Sequence, residues 1–261
     1  MEEEKKMSFL DHLEELRWRL VKSSIAIVSF AVLIWSYQQW IMDNIFLAMS
    51  KSNFISFQLM CKYFDICVGE IPVKMQSTTV SGQFSYALMM SMLGGVVFAF
   101  PYVFYQLWSF VKPGLKFNEK SVAKGIVFYV SLLFFLGILF GYFVVAPICI
   151  QFFGAYQISS EIENIFTISS YMSTIISTVF YSGLLFLLPV VSYLLAKLGI
   201  ITADFFRKYR KHAIVVILIL AAVITPPDMV SQIIVSIPII LLYEIGIIVA
   251  VRVEKNKKNE I

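Results

Sequence analysis

Acidic side chains are scarce in this chain, and each one is a candidate for chemistry. Asp11, Glu14 and Glu15 stand just ahead of Arg17 and Arg19 in Ser8-Phe9-Leu10-Asp11-His12-Leu13-Glu14-Glu15-Leu16-Arg17-Trp18-Arg19-Leu20. A carboxylate at a lipid boundary is a natural socket for an arginine, which it holds through charge-assisted and often bidentate hydrogen bonds. The plainer reading is a solvated helix with internal pairs such as Glu15–Arg19, four residues apart. Glu119 is the one acid of a second segment and has Lys112, Lys116, Lys120 and Lys124 around it. A structured turn with one surface ion pair is the plainer reading there. Asp228 follows Thr225-Pro226-Pro227, where the proline pair ends a helix and Asp228 is placed to cap the next. Glu244 lies inside Leu241-Leu242-Tyr243-Glu244-Ile245. An ionisable group in such a run must face protein or water, so a proton relay and a structural hydrogen bond are both open.

Little else in the chain is reactive. His12 and His212 are each isolated, and the spacing of a metal site is absent. With no P-loop and no nucleophile–base pair, the chain is not expected to be an enzyme or to carry a cofactor. Cys61 and Cys67 share one loop, where they either bridge or remain thiols, and Cys149 stands apart.

The elements that position these groups follow from composition. Of 261 residues, 59% are hydrophobic and only 15% charged, with a formal net charge of +4. The mean hydropathy is +0.81. A soluble domain is about half apolar and about a quarter charged. A water-soluble enzyme, a nucleic-acid binder and a disordered tail are excluded, and the chain belongs in a bilayer. The expected fold is all-α, with spans near 23–42, 83–111, 125–153, 166–196, 213–224 and 230–251. The fifth and sixth spans are expected to be short. The run that opens near Val21 has no convincing cleavage site after it and reads as an uncleaved span.

Charge placement orients the spans. Of the 21 basic residues only Lys51, Lys62 and Lys74 lie outside four clusters: before span one, after span two, after span four and in the tail 252–261. That bias places both termini in the cytoplasm and requires an even number of spans. Residues 43–80 form the largest outer loop and keep Phe54, Phe57, Leu59 and other apolar residues, so they are expected to cap the outer side. Residues 1–22 read as a cytoplasmic amphipathic helix with Phe9, Leu13, Leu16 and Leu20 on one stripe, running into span one. Pro101, Pro147, Pro189 and Pro238 imply kinks, and Gly137-Ile138-Leu139-Phe140-Gly141 suggests a close helix–helix contact. The whole reads as one membrane domain over 1–261.

Taken in order, these residues resemble the TatC family, the polytopic subunit of the twin-arginine, Sec-independent protein translocase. The likeness rests on His12-Leu13-Glu14-Glu15-Leu16-Arg17, on Tyr105-Gln106-Leu107-Trp108 with Pro113-Gly114-Leu115 and Glu119-Lys120, and on Gly141-Tyr142-Phe143 with Pro147. Pro189-Val190-Val191, Thr225-Pro226-Pro227-Asp228 with Ser231-Gln232, and Leu242-Tyr243-Glu244 complete it. The resemblance implies a receptor for twin-arginine signal peptides and a scaffold that exports folded proteins on the proton-motive force. It implies partnership with TatA-type, and in some systems TatB-type, single-span subunits, and a homo-oligomer in the cell membrane. By the same likeness Glu15, Glu119, Leu16 and Arg17 form the signal-peptide site, in which the two glutamates bind the arginine pair. Pro113, Tyr142, Thr225, Pro226, Asp228, Gln232 and Glu244 take structural or partner-contact roles.

Two positions depart from the family pattern. Leu187 stands where the family often has a glutamate two residues before the span-four proline, and Ser121 stands where a basic residue often follows the loop glutamate. The alternative to the receptor reading is a small-solute or ion transporter that uses Glu244 as its membrane carboxylate.

Overall fold

The computed structural model describes residues 9–65, 74–111, 125–159, 161, 164–197, 199, 201–224 and 229–259. In chain order the helices are α1 (Phe9–Ser36), α2 (Gln38–Ile41), α3 (Ile55–Phe64), α4 (Gly82–Val111), α5 (Ile126–Phe140), α6 (Ala146–Ala155), α7 (Ile168–Leu185), α8 (Leu188–Lys197), α9 (Ala203–Lys208), α10 (Arg210–Ile224) and α11 (Met229–Asn259). Two short strands, β1 (Lys74–Gln76) and β2 (Ile165–Thr167), pair in parallel with Met75 opposite Phe166. The chain divides into two compact units, one drawn from Met1–Gln39 and Ala87–Leu132, the other from Trp40–Tyr86 and Leu133–Ile261.

In the first unit α1 and α4 pack antiparallel. His12 stacks on Phe110 with ring centroids 4.2 Å apart, and Phe30 lies 6.3 Å from Phe98. No glycine or proline interrupts residues 9–36, so the amphipathic start and the first span form one uninterrupted helix with no break near residue 22. Serine hydroxyls inside α1 return to the carbonyl four residues back, Ser23 to Arg19, Ser29 to Ile25 and Ser36 to Val32, which satisfies them without water. The two helices approach closely at Gly95, where an added Cβ would lie 2.6 Å from the Ile27 carbonyl oxygen.

In the second unit proline chemistry shapes the long apolar run Ile126–Ala155. Pro147 has no N–H to give to the carbonyl of Phe143, four residues earlier. The helix widens there into a π-helical turn, Gly141–Val145, between α5 and α6. The hydroxyl of Ser56, at the start of α3, donates to the Phe143 carbonyl instead. The Tyr142 hydroxyl reaches the Ile45 carbonyl at 3.0 Å, and Tyr171 reaches that of Phe46 at 2.7 Å. Met49, Phe54 and Phe57 are buried beside this turn, with Phe54 stacked near Phe143 and edge-on to Tyr142. Pro189 ends the helical ladder similarly, and a turn at Phe186–Leu187 separates α7 from α8. Pro101 and Pro238 lie inside uninterrupted helices.

The Gly137/Gly141 pair makes the close contact its spacing suggests. A Cβ at Gly137 would meet the Ser182 carbonyl oxygen at 2.7 Å, and one at Gly141 would meet the Val179 Cα at 2.8 Å. A second core joins Val145 and Cys149 of α5–α6 to Ile217 and Ala221 of α10 and to Val235, Ile239, Tyr243 and Ile247 of α11. Thr167 caps α7 by accepting from the Ser170 N–H, and Thr202 caps α9 through the Phe205 N–H.

Among the described residues, five helical stretches have the length and apolar content to cross a bilayer: His12–Ser36, Gly82–Val111, Ile126–Ala155, Ile168–Lys197 and Gln232–Lys255. The expected fifth span is α10, at 15 residues roughly 22 Å long. The sixth, expected to be short, is instead a helix of 31 residues, because its apolar run passes without a breaker into the charged tail. Cys61 is disulfide-bonded; Cys67 lies outside the described residues.

Candidate functional site

Helical spacing puts His12, Glu15 and Arg19 on adjoining turns of α1, and α4 closes over them. Glu15 Oε1 accepts from Arg19 Nε at 2.9 Å and from Nη2 of the same guanidinium. The expected pair between these residues is therefore present. Arg19 Nη1 in turn points to Oε1 of Gln106 at 3.4 Å, and the Gln106 side chain is buried on α4. The second carboxylate oxygen, Glu15 Oε2, is buried and has no hydrogen-bond donor among the described residues. His12 Nδ1 lies 3.9 Å from it, beyond hydrogen-bond range.

This is an asymmetric carboxylate. One oxygen is held by an arginine of its own helix, and the other is free to accept. A buried acceptor without a donor loses its hydration for nothing in return, typically about 1–3 kcal/mol and more for a charged group. An incoming guanidinium would remove that deficit. Trp108 Nε1, also on α4, is likewise buried without a partner among the described residues. His12 packs its ring face to face on Phe110 and flanks the carboxylate.

The other sequence-derived residues fall in three groups. Leu16 is half-buried, and Arg17 is exposed on a different side of α1 from Glu15, in line with the exposed Leu13, Leu20 and Val21. Glu119, Pro113 and Ser121 lie outside the described residues, as do Thr225, Pro226 and Asp228. Tyr142 and Gln232 are in place as structural ties: Tyr142 to Ile45 as above, and Gln232 Nε2 to the Leu218 carbonyl at 3.0 Å, linking α11 to α10. Leu187 sits in the turn between α7 and α8, where its carbonyl accepts from the N–H groups of Val190 and Val191.

Glu244 has a partner that sequence reasoning missed. Its Oε2 accepts from Arg210 Nη2 at 2.6 Å, so the structural alternative for this carboxylate is the one the geometry supplies. Arg210 had counted only as one of a cluster of loop charges. Gln106 was likewise visible only as a letter in an aromatic motif. Neither pairing has a signature in local spacing, since the partners stand 34 and 87 residues apart.

The chain is similar to known proteins over nearly its whole length. The family model described as Sec-independent protein translocase protein (TatC) matches residues 11–238. A Sec-independent protein translocase protein TatC from Blattabacterium sp. subsp. Periplaneta americana is 36% identical over 263 residues, covering 98% of this chain and 99% of the relative. A TatC protein of Desulforapulum autotrophicum is 35% identical, covering 98% of this chain and 88% of that one. A crystal structure of the twin arginine translocase receptor TatC superposes with a TM-score of 0.69 at 27% identity, covering 93% of this chain and 99% of that one. The same receptor in the detergent DDM gives a TM-score of 0.71 at 28% identity, with 91% and 98% covered.

Proposed function

The chain belongs to the TatC family of Sec-independent protein translocase proteins, and from that premise we propose that it is the subunit that receives twin-arginine signal peptides. It is a membrane protein of a translocase complex. In this reading both termini are cytoplasmic, six helices span the cell membrane with α10 as the short fifth, and residues 43–80 cap the outer side. Single-span TatA-type subunits assemble on it, and the proton-motive force drives export of folded cargo.

One observation carries the receptor reading: the buried Oε2 of Glu15, without a donor among the described residues and held beside α4 at the N-terminal end of α1. A guanidinium supplies what that oxygen lacks, a planar donor with charge. Arg19 holds the other oxygen and keeps the carboxylate in one orientation. In this reading Glu119 accepts the second arginine of the signal, and basic residues near both acids discriminate against peptides without a compensating pair.

Site-specific photocrosslinking from the cytoplasmic face tests the assignment. Glu15→Ala and Glu119→Ala each weaken crosslinking to a twin-arginine signal peptide, the double variant nearly abolishes it, and a paired-lysine peptide crosslinks poorly to the unmodified protein. Normal crosslinking in the double variant refutes the site.

A further inference from the structure

Segment α9–α10 climbs along α11. The Ala203 N–H donates to Glu254 Oε1 at 2.9 Å, the Tyr243 hydroxyl to the Phe206 carbonyl at 2.9 Å, and Arg210 to Glu244 at 2.6 Å. Glu254 and Glu244 are ten residues apart on one helix, about 15 Å of rise. The candidate span of α11 is Gln232–Lys255, its charged end begins at Arg252, and Glu244 stands about two turns inside that end. The Arg210 guanidinium therefore reaches into the apolar run of α11 from the side of its charged end.

Exposed basic residues flank Arg210 in the chain. Arg207, Lys208, Lys211 and His212 are all exposed. Asp204 faces Arg207 at 3.7 Å, Glu244 is taken by Arg210, and Glu254 is taken by the Ala203 N–H. Lys208 and Lys211 have no carboxylate partner among the described residues; Lys208 lies 6.0 Å from the ring of Tyr209. Directly beyond them α10 turns apolar, and Val215, Val216 and Ile219 are each more than half exposed. Lys211, Val215 and Ile219 follow at four-residue spacing and so form one stripe, charge at one end and hydrocarbon along the rest.

Lysines without a carboxylate partner beside an exposed apolar stripe call for an anion, and a phosphate that brings its own acyl chains satisfies both ends of the stripe. We propose that Lys208 and Lys211 bind the phosphate of an acidic phospholipid from the surrounding leaflet, whose acyl chain lies along Val215 and Ile219. The site rests on the membrane-spanning reading of α11 and is independent of signal-peptide recognition.

The test is native mass spectrometry of the full chain in neutral detergent, titrated with phosphatidylglycerol or phosphatidylcholine. Phosphatidylglycerol is retained as a discrete adduct and phosphatidylcholine is not. Each lysine near a headgroup contributes about fivefold, so Lys208→Gln with Lys211→Gln lowers phosphatidylglycerol affinity by about thirtyfold. Lys208→Arg with Lys211→Arg retains it, and millimolar inorganic phosphate does not displace it. Should the double glutamine variant fail to fold, Lys211→Gln alone lowers affinity about fivefold. Equal retention of phosphatidylglycerol by the unmodified and glutamine proteins overturns the site, as does equal binding of phosphatidylcholine. Displacement by inorganic phosphate also overturns it, since the site would then belong to a free anion. Signal-peptide crosslinking by the same glutamine variants stays normal, which separates this site from the receptor carboxylates.

Discussion

Gln106 stands behind Arg19: its side-chain oxygen faces the guanidinium at 3.4 Å, while the same guanidinium clamps one oxygen of Glu15. Two helices thus hold one carboxylate, α1 by supplying both charges and α4 by supplying the buried amide that steadies the arginine. Gln106→Leu removes that amide and leaves Arg19 free to rotate. Folding, read by monodispersity and thermal stability in detergent, stays close to normal. Signal-peptide crosslinking falls about fivefold, the equivalent of one hydrogen bond of about 1 kcal/mol. Unchanged crosslinking would show that Glu15 does not depend on its arginine for orientation.

The Arg210–Glu244 contact ties the first residue of α10 to the middle of α11. Both side chains are partly exposed, which limits their worth to about 1 kcal/mol or less. Glu244→Gln and Arg210→Gln each lower thermal stability in detergent. Arg210→Glu combined with Glu244→Arg recovers part of the loss, whereas either reversal alone is worse than its glutamine counterpart. Double-mutant additivity in that set would mean that the two groups do not interact.

Close packing at two glycines gives a different kind of prediction. At Gly95 and Gly137 the nearest atoms to an added Cβ are backbone oxygens of the facing helix, which cannot rotate away. Gly95→Leu and Gly137→Leu separate their helices and destabilise the protein by about 3 kcal/mol or more. Gly125, where a Cβ would meet only the Tyr129 ring at 3.7 Å, is not crowded; its φ of 109° makes Gly125→Ala a test of backbone strain instead. Thermal unfolding of the three variants distinguishes the two mechanisms.

In the six-span reading proposed above, the length of α10 bears on transport. At 15 residues it falls short of a hydrocarbon core of about 30 Å, and a short span thins the bilayer or draws headgroups inward. Inserting one helical turn within 213–224 relieves that mismatch. Export of a twin-arginine reporter then decreases while signal-peptide crosslinking persists. Full export by the lengthened protein would rule out a role for local thinning.

Much of the fold was readable in advance because helices are local. The apolar runs appear as helices within a few residues of their expected limits, and the Gly137/Gly141 spacing marks a true contact face. The Glu15–Arg19 pair follows from four-residue spacing alone. The π-helical turn at Gly141–Val145 was half-legible: Pro147 announces an unsatisfied Phe143 carbonyl, yet only folding reveals that Ser56 satisfies it. The length of α11 was misjudged because hydropathy marks where an apolar run ends, whereas backbone hydrogen bonding continues through lysines and glutamates that are good helix formers.

Composition and periodicity by themselves determined that this chain lives in a membrane, where its helices run and which acids were worth watching, because those properties depend on neighbours within a few residues. Tertiary structure alone decided that Glu15 keeps one oxygen without a donor among the described residues, that Gln106 backs Arg19, and that Arg210 reaches Glu244. Such pairings depend on which faces of distant helices meet and at what height. No one-dimensional period encodes that, since it is settled by close approach at glycines and by the burial of side chains far apart in the sequence.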